Sequence, residues 1–235
     1  MPDAPWASTD HSTPLSTKAA SRLVADHARA VTLLRKAAGK LWPALARDTI
    51  DPDDRLVVLH RVAEMTAATL EADAKAMVTD LAPESKGLAD RIGGFFKRAA
   101  RTLRTAYLAG ALALLGPEML EADAREIHSV QVAEQLKYLA GFQKAVHEGE
   151  QKPDGSLPNR AGLYGHATWS VGQNTARGVA SSVEAIGEER RVLGGRDHCE
   201  GCKREAAKGW QPKGKLAPIG TQECRVNCRC SFQYR

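Results

Sequence analysis

The chain has few of the features that mark membrane or secreted proteins. Its longest nearly unbroken apolar run, Ala106 to Leu115, falls well short of the roughly 20 residues needed to span a bilayer, so no membrane role is expected. No basic-then-apolar leader opens it. Met1 to Thr17 mixes Ser, Thr, Pro and Asp and reads as a flexible N-terminus on a protein made and kept in a reducing cytoplasm. Cysteine is absent before residue 199, no internal repeat is found, and no strand pattern is visible before Gly194. Neither end is long and compositionally biased, which excludes a disordered or fibrous polymer.

What is present is a chain of 235 residues, 43% hydrophobic and 26% charged, long enough for one or two domains with a buried core. Its periodicity predicts a mainly α fold: an elongated helical body with a small Cys-rich, zinc-stapled C-terminal module. The expected divisions are a flexible segment at 1–17, the helical body at 18–148, a loop or hinge at 149–162, a helix leading into the tail at 163–192, and the metal-binding module at 193–235.

Within the body, Leu23, Ala30, Leu34, Leu41 and Leu45 recur at helical spacing over Ser16 to Leu45, with an end near Pro43. A second helix follows the acidic cluster Asp51 to Asp54, runs through Leu56, Leu59, Val62, Met65 and Leu70, and stops at Pro83. A third, about Leu88 to Leu115, sets Ile92, Phe95, Phe96, Leu103 and Tyr107 against Lys97, Arg98, Arg101 and Arg104; Gly93-Gly94 predicts a kink or a frayed first turn. Pro117 is placed as the first residue of a fourth, ending at Glu148, with Leu120, Ile127, Leu136, Leu139, Phe142 and Val146 as its apolar stripe. Turn formers between Lys152 and Asn159 interrupt the pattern, and helix resumes from Leu163 to about Glu189.

Charge is uneven along the chain. The net charge is +5, yet Arg190 to Arg235 alone holds 11 basic against 4 acidic side chains. Arg196, Lys203, Arg204, Lys208, Trp210, Lys213, Lys215, Arg225 and Arg229 are therefore candidates for contact with a nucleic acid or an acidic protein surface, or for a solvated face.

The same tail holds all five cysteines: Cys199-Glu-Gly-Cys202, an insert of 21 residues, then Cys224-Arg-Val-Asn-Cys228-Arg-Cys230. A Cys-x-x-Cys turn aims two thiolates at one tetrahedral ion, and a second cysteine cluster across a loop completes the set, at close to zinc-ribbon spacing. Gly201 eases the turn around the metal, and the flanking Arg and Lys offset thiolate charge. Cys199 and Cys202 rank as the firm pair, Cys230 and Cys224 next, and Cys228 and His198 as spare or substitute ligands. The zinc is expected to be structural, because a catalytic zinc needs an open position and a nearby base. Disulfides would need an oxidising compartment.

Arg190 to Leu193 closing a helix, Asp197-His198-Cys199-Glu-Gly-Cys202, Gly209-Trp210, Pro218-Ile219-Gly220-Thr221 and Asn227-Cys228-Arg229-Cys230 together resemble the C-terminal signature of tailed-phage minor head proteins, the head morphogenesis proteins similar to the F protein of phage Mu. Tyr164 and Asn174 fit the helix that precedes that signature. Many members carry a His where this chain has Arg225, and Cys224 stands one residue earlier, as the suggested replacement ligand. The resemblance covers about residues 160–235 and implies a virion component of few copies, made in the host cytoplasm and located in the phage head. Its implied partners are the portal and the major capsid or scaffold protein, with packaged DNA as a secondary, non-specific contact. A non-enzymatic role is expected: a zinc-stapled nuclease would need a second histidine beside His198 and Asn227, and His166 is the nearest. The rival class is a zinc-containing DNA-binding regulator, supported by the basic tail but lacking a clean helix-turn-helix.

Overall fold

The computed structural model describes residues 17–79, 88–117, 122–152, 154–195 and 197–235, with side chains described from Ala25 in the first helix, Ala89 in the fourth and His128 in the fifth. The elements in chain order are α1 (Thr17–Ala38), a 3-10 turn (Gly39–Leu41), α2 (Trp42–Ala46), α3 (Pro52–Thr79), α4 (Leu88–Leu115), α5 (Ala122–His147), α6 (Ser156–Ser182), β1 (Glu188–Val192), α7 (Glu200–Ala207), β2 (Gln211–Pro212), a second 3-10 turn (Arg225–Asn227) and β3 (Ser231–Tyr234). The protein is mainly helical, with the cysteines gathered behind the helices in a small C-terminal sheet region. No helix among the described residues is long and apolar enough to cross a membrane.

Local chemistry explains most helix bounds. Pro52 opens α3 where its missing N–H costs nothing, Asp53 and Asp54 sit in the first turn, and Asp51 Oδ1 accepts the Asp53 N–H at 2.8 Å. Helix α4 runs from Leu88 to Leu115 through Gly93-Gly94, burying Ile92, Phe95, Phe96, Leu103 and Tyr107 as expected. Leu136 is half-buried, and Leu139, Phe142 and Val146 of α5 are buried. Leu81, Pro83 and Leu120, and the side chains of Leu23 and Ile127, fall outside what is described.

Helix α6 is the axis of the molecule, packing against α3, α4 and α5. Its approach to α3 is close enough that a β-carbon on Gly165 would collide with the Ala67 backbone nitrogen. Two buried clusters lie on either side. One joins Phe95, Phe96, Tyr107 and Phe142 with residues of α3 and α6. The other joins Leu34, Leu45, Leu59, Val62 and Leu112 of the helices to Trp169, Cys202, Leu216, Ile219, Cys228, Cys230 and Phe232.

That second cluster crosses the expected division at 193, since apolar residues of the tail complete a core with the helices. Two further boundaries differ. The expected loop at 149–162 is shorter, because α6 begins at Ser156 and carries Pro158 in its first turn, where no intrahelical N–H bond is required. The helix expected over 163–192 ends at Ser182, and Glu188–Val192 is the central strand of an antiparallel sheet ordered β2-β1-β3, with Glu189 opposite both Gln211 and Tyr234. Pro117 lies in a turn rather than in α5.

Strand β1 is tied to α6 by a buried ion pair. Arg177 donates to both Glu189 carboxylate oxygens, at 2.8 and 2.5 Å, and to the Leu216 carbonyl at 2.6 Å; Glu189, fully buried, also accepts the Leu216 N–H at 3.1 Å. Asn174 holds the next part of the tail, donating to the Ile219 carbonyl at 2.9 Å and accepting its N–H at 3.0 Å.

Two stability predictions follow from these contacts. Arg177→Met leaves the Glu189 carboxylate buried without its cation and should cost about 3–5 kcal/mol in chemical denaturation, with much of the loss recovered when Glu189 is replaced by a hydrophobic residue as well. Gly165→Val overpacks the α3–α6 crossing and should cost at least about 1–3 kcal/mol by the same measurement.

Candidate metal centre

The cysteines are delivered by three short pieces of backbone. Cys199 precedes α7, its sulfur accepting the Cys202 N–H at 3.4 Å across the Cys-x-x-Cys turn. Gly201 is buried in that turn, where a β-carbon would displace the side-chain ends of Gln222 and Glu223, and its N–H donates to Glu223 at 3.0 Å. Cys224 and Cys228 flank the second 3-10 turn, in which Arg225 takes the left-handed conformation (φ 45°). Cys230 lies just before β3, where its carbonyl accepts the Trp169 indole N–H at 2.8 Å.

All five sulfurs converge. They form two sets of three, Cys199–Cys202–Cys224 and Cys202–Cys228–Cys230, each with its sulfurs within 4.8 Å of one another, so Cys202 belongs to both. Cys202 Sγ is 3.5 Å from Cys224 Sγ and 3.7 Å from Cys228 Sγ. Thiolates bound tetrahedrally at about 2.3 Å, the zinc–sulfur length, stand about 3.8 Å apart, so these spacings suit a metal ion. The cluster can therefore hold one. Cys202, Cys228 and Cys230 are buried, whereas Cys199 and Cys224 are half-buried. Cys228, ranked as spare from the sequence, is one of the two sulfurs close to Cys202, and His198 belongs to neither set.

The surroundings favour negative charge on two of the sulfurs, Cys199 and Cys228, and oppose it on the other three. Arg191 is only 3% exposed and places one guanidinium nitrogen 3.8 Å from Cys202 Sγ; another donates to the Ala217 carbonyl, and the group lies over the Phe232 ring. A buried cation is costly without an anionic neighbour, and the buried Glu205 carboxylate is one: burial opposes its charge, but Lys208, the Ala217 N–H and Arg191 together lower its pKa. Burial opposes ionisation of Cys199, but the N–H groups of Cys202 and Cys224 outweigh it and lower its pKa below the usual thiol value. Cys228 is held down to about 5, chiefly by hydrogen bonding from the Cys230 thiol and against its burial. Burial, ahead of hydrogen bonding, pushes the Cys202 and Cys224 thiols up; Cys230 is pushed up first by its bond to Cys228 and then by burial. Glu223 is lowered to about 2 by its own backbone N–H, by Cys199 and by the Gly201 N–H.

The candidate contact residues are dispersed around this centre, many of them facing acidic partners. Lys203 pairs with Glu200 at 2.8 Å, Arg204 with Glu223 at 3.4 Å, Lys208 with Glu205 at 2.6 Å and Arg229 with Glu64 at 3.6 Å. Lys213 donates to the Val183 carbonyl at 3.1 Å, while Lys215 and Arg225 are exposed. Trp210 is half-buried beneath the guanidinium groups of Arg190 and Arg235, at 4.8 and 4.6 Å from its ring centre. Arg196 falls outside the described residues. His166 meets Arg229 at 3.4 Å and Glu64 at 3.5 Å. Sequence reasoning missed Arg191, which lies beside Cys202, and Arg177 and Glu189, which tie α6 to β1 and Leu216.

In metal-free protein near neutral pH, Cys199 should be alkylated before Cys202, Cys224 and Cys230, because it combines a lowered pKa with partial exposure. Peptide mass spectrometry after brief iodoacetamide treatment checks this, and equal labelling of all five would contradict the packed cluster.

Comparison with protein-family models, with curated proteins and with solved structures finds no match for this chain. Any assignment of the site therefore rests on its own residues: five converging thiols, a buried guanidinium beside the shared one, and a helix that grips the tail backbone.

Proposed function

We propose that this chain is a minor head protein of a tailed phage, acting in head morphogenesis and DNA packaging, and that its cysteine cluster holds one structural zinc. The observation that carries the reading is the meeting of the separated pieces of the minor-head-protein resemblance. Asn174 of α6 clasps Ile219 of the Pro218 to Thr221 loop, and the Cys199-x-x-Cys202 turn lies against Cys228 of the terminal Asn-Cys-Arg-Cys. Five thiols in a cytoplasmic protein favour zinc by softness, and an all-sulfur, mostly buried set favours a structural ion.

Docking on the portal or the inner capsid is the primary role of the tail, with DNA contact secondary. Lys203, Arg204, Lys208 and Arg229 each face a carboxylate of this same chain, which reduces the charge they can offer to phosphates. Any DNA binding should be sequence-independent and should weaken log-linearly with salt, by about 0.9 per phosphate neutralised.

Two measurements test the proposal. Elemental analysis of the purified chain should find one zinc; its absence, or two disulfides by thiol titration, overturns the metal assignment. Mass spectrometry of purified phage particles and procapsids should find the chain at low copy. Its absence from both removes the head-protein reading and favours a DNA-binding regulator.

A further inference from the structure

Two three-sulfur sets meet at a single atom. Cys199, Cys202 and Cys224 form one and Cys202, Cys228 and Cys230 the other, with Cys202 Sγ the sulfur common to both. A tetrahedral ion takes four sulfurs, and neither set supplies four without drawing one in from the other. An ion satisfied by three needs no such movement. Three sulfurs in a trigonal plane, each about 2.3 Å from the metal, stand about 4.0 Å apart. The sulfurs of each set lie within 4.8 Å of one another, and Cys202 Sγ is 3.5 Å from Cys224 Sγ and 3.7 Å from Cys228 Sγ. Low-coordinate, all-thiolate surroundings suit a soft monovalent ion, and Cu(I) is such an ion.

Resting on the reading of the cluster as a metal centre and going beyond its zinc, we propose that the metal-free chain binds two Cu(I) ions, one in each set, with the Cys202 thiolate bridging them. No electron is transferred on binding. Each thiol that is still protonated gives its proton to solvent as its sulfur–copper bond forms. The bridging atom is also the sulfur beside the buried Arg191 guanidinium, 3.8 Å away, whose positive charge opposes the accumulation of negative charge where the two sets join.

The two positions differ in access. Cys202, Cys228 and Cys230 are all buried, and the Cys230 carbonyl is held by the Trp169 indole of α6. In the other set Cys199 and Cys224 are half-buried, one preceding α7 and one preceding the second 3-10 turn. A chelator in solution therefore reaches the outer ion first, and the inner ion leaves only when buried sulfurs open. The cluster thus offers copper one labile and one retained position.

The test uses the full chain, stripped of metal under reducing conditions and titrated without oxygen with Cu(I) supplied as its acetonitrile complex. Native mass spectrometry counts the ions, and bicinchoninate then removes them. Wild type should bind two coppers and release them in two phases of equal amplitude, one fast and one slow. Cys199→Ser should keep one copper and only the slow phase. Cys230→Ser should keep one and only the fast phase. Cys202→Ser, which leaves each set two sulfurs, should release all bound copper faster than the wild-type fast phase. Circular dichroism restricts these comparisons to variants that keep their helices, and X-ray absorption of the copper-loaded wild type needs no variant: it should show three sulfurs around each copper and a copper–copper shell. One copper per chain, more than two, the lack of that shell, or a Cys202→Ser variant that behaves as wild type overturns the bridged pair. The same chain binding one zinc in a parallel titration shows that the metal reading survives that failure. A chain that binds neither zinc nor copper overturns the metal reading and this inference with it.

Discussion

The buried pair between Arg177 and Glu189 is the constraint on which the C-terminal half of this protein depends. It joins three segments far apart in sequence, since the guanidinium of α6 and the carboxylate of β1 between them bind both the carbonyl and the N–H of Leu216. Because Glu189 has no exposure to water, its charge is tolerable only with this set of partners in place. Strand β1 is thereby fixed against the helices. With β1 fixed, Arg191 two residues later reaches the cysteine cluster, and Val192 pairs with Ser231 immediately after Cys230.

A second consequence concerns the independence of the metal region. Small cysteine-rich segments often fold around a metal because they cannot build a core alone. Here the segment borrows one. Leu216, Ile219 and Phe232 enter the same buried cluster as Leu34, Leu59 and Leu112, and the hydrogen bonds from Trp169, Asn174 and Arg177 satisfy tail backbone that would otherwise be buried without partners. A metal ion held by the cysteine cluster and the packing of the helices would therefore stabilise one another.

The helical body was legible because its signal is periodic. Phe95, Phe96, Leu103 and Tyr107 recur at helical spacing, and all are buried. The convergence of the cysteines was legible from spacing alone. Strand β1 was not: its inward residues are Glu189 and Arg191, so Glu-Glu-Arg-Arg-Val reads as a polar helix end, and only the folded chain supplies the partners that make those charges bury. Pro158 and Asn159 read as breakers because proline disrupts helix interiors, yet the first turn of α6 accommodates them. The shared core was hidden for a related reason, since isolated apolar residues such as Leu216 and Ile219 have no period to reveal them. Cys228 was undervalued because spacing ranks ligands along the chain and not by distance between sulfurs.

The order of the sheet also bears on how the chain is made. Strand β1 is central, but both its neighbours, β2 and β3, follow it in sequence, and the cluster that closes over Leu34, Leu59 and Leu112 draws its last apolar member, Phe232, from β3. On the ribosome, the helices emerge long before the strand that completes their shared apolar cluster and packs on α6. Until β3 arrives, that cluster lacks its last buried member, so the nascent protein still exposes apolar surface late in synthesis.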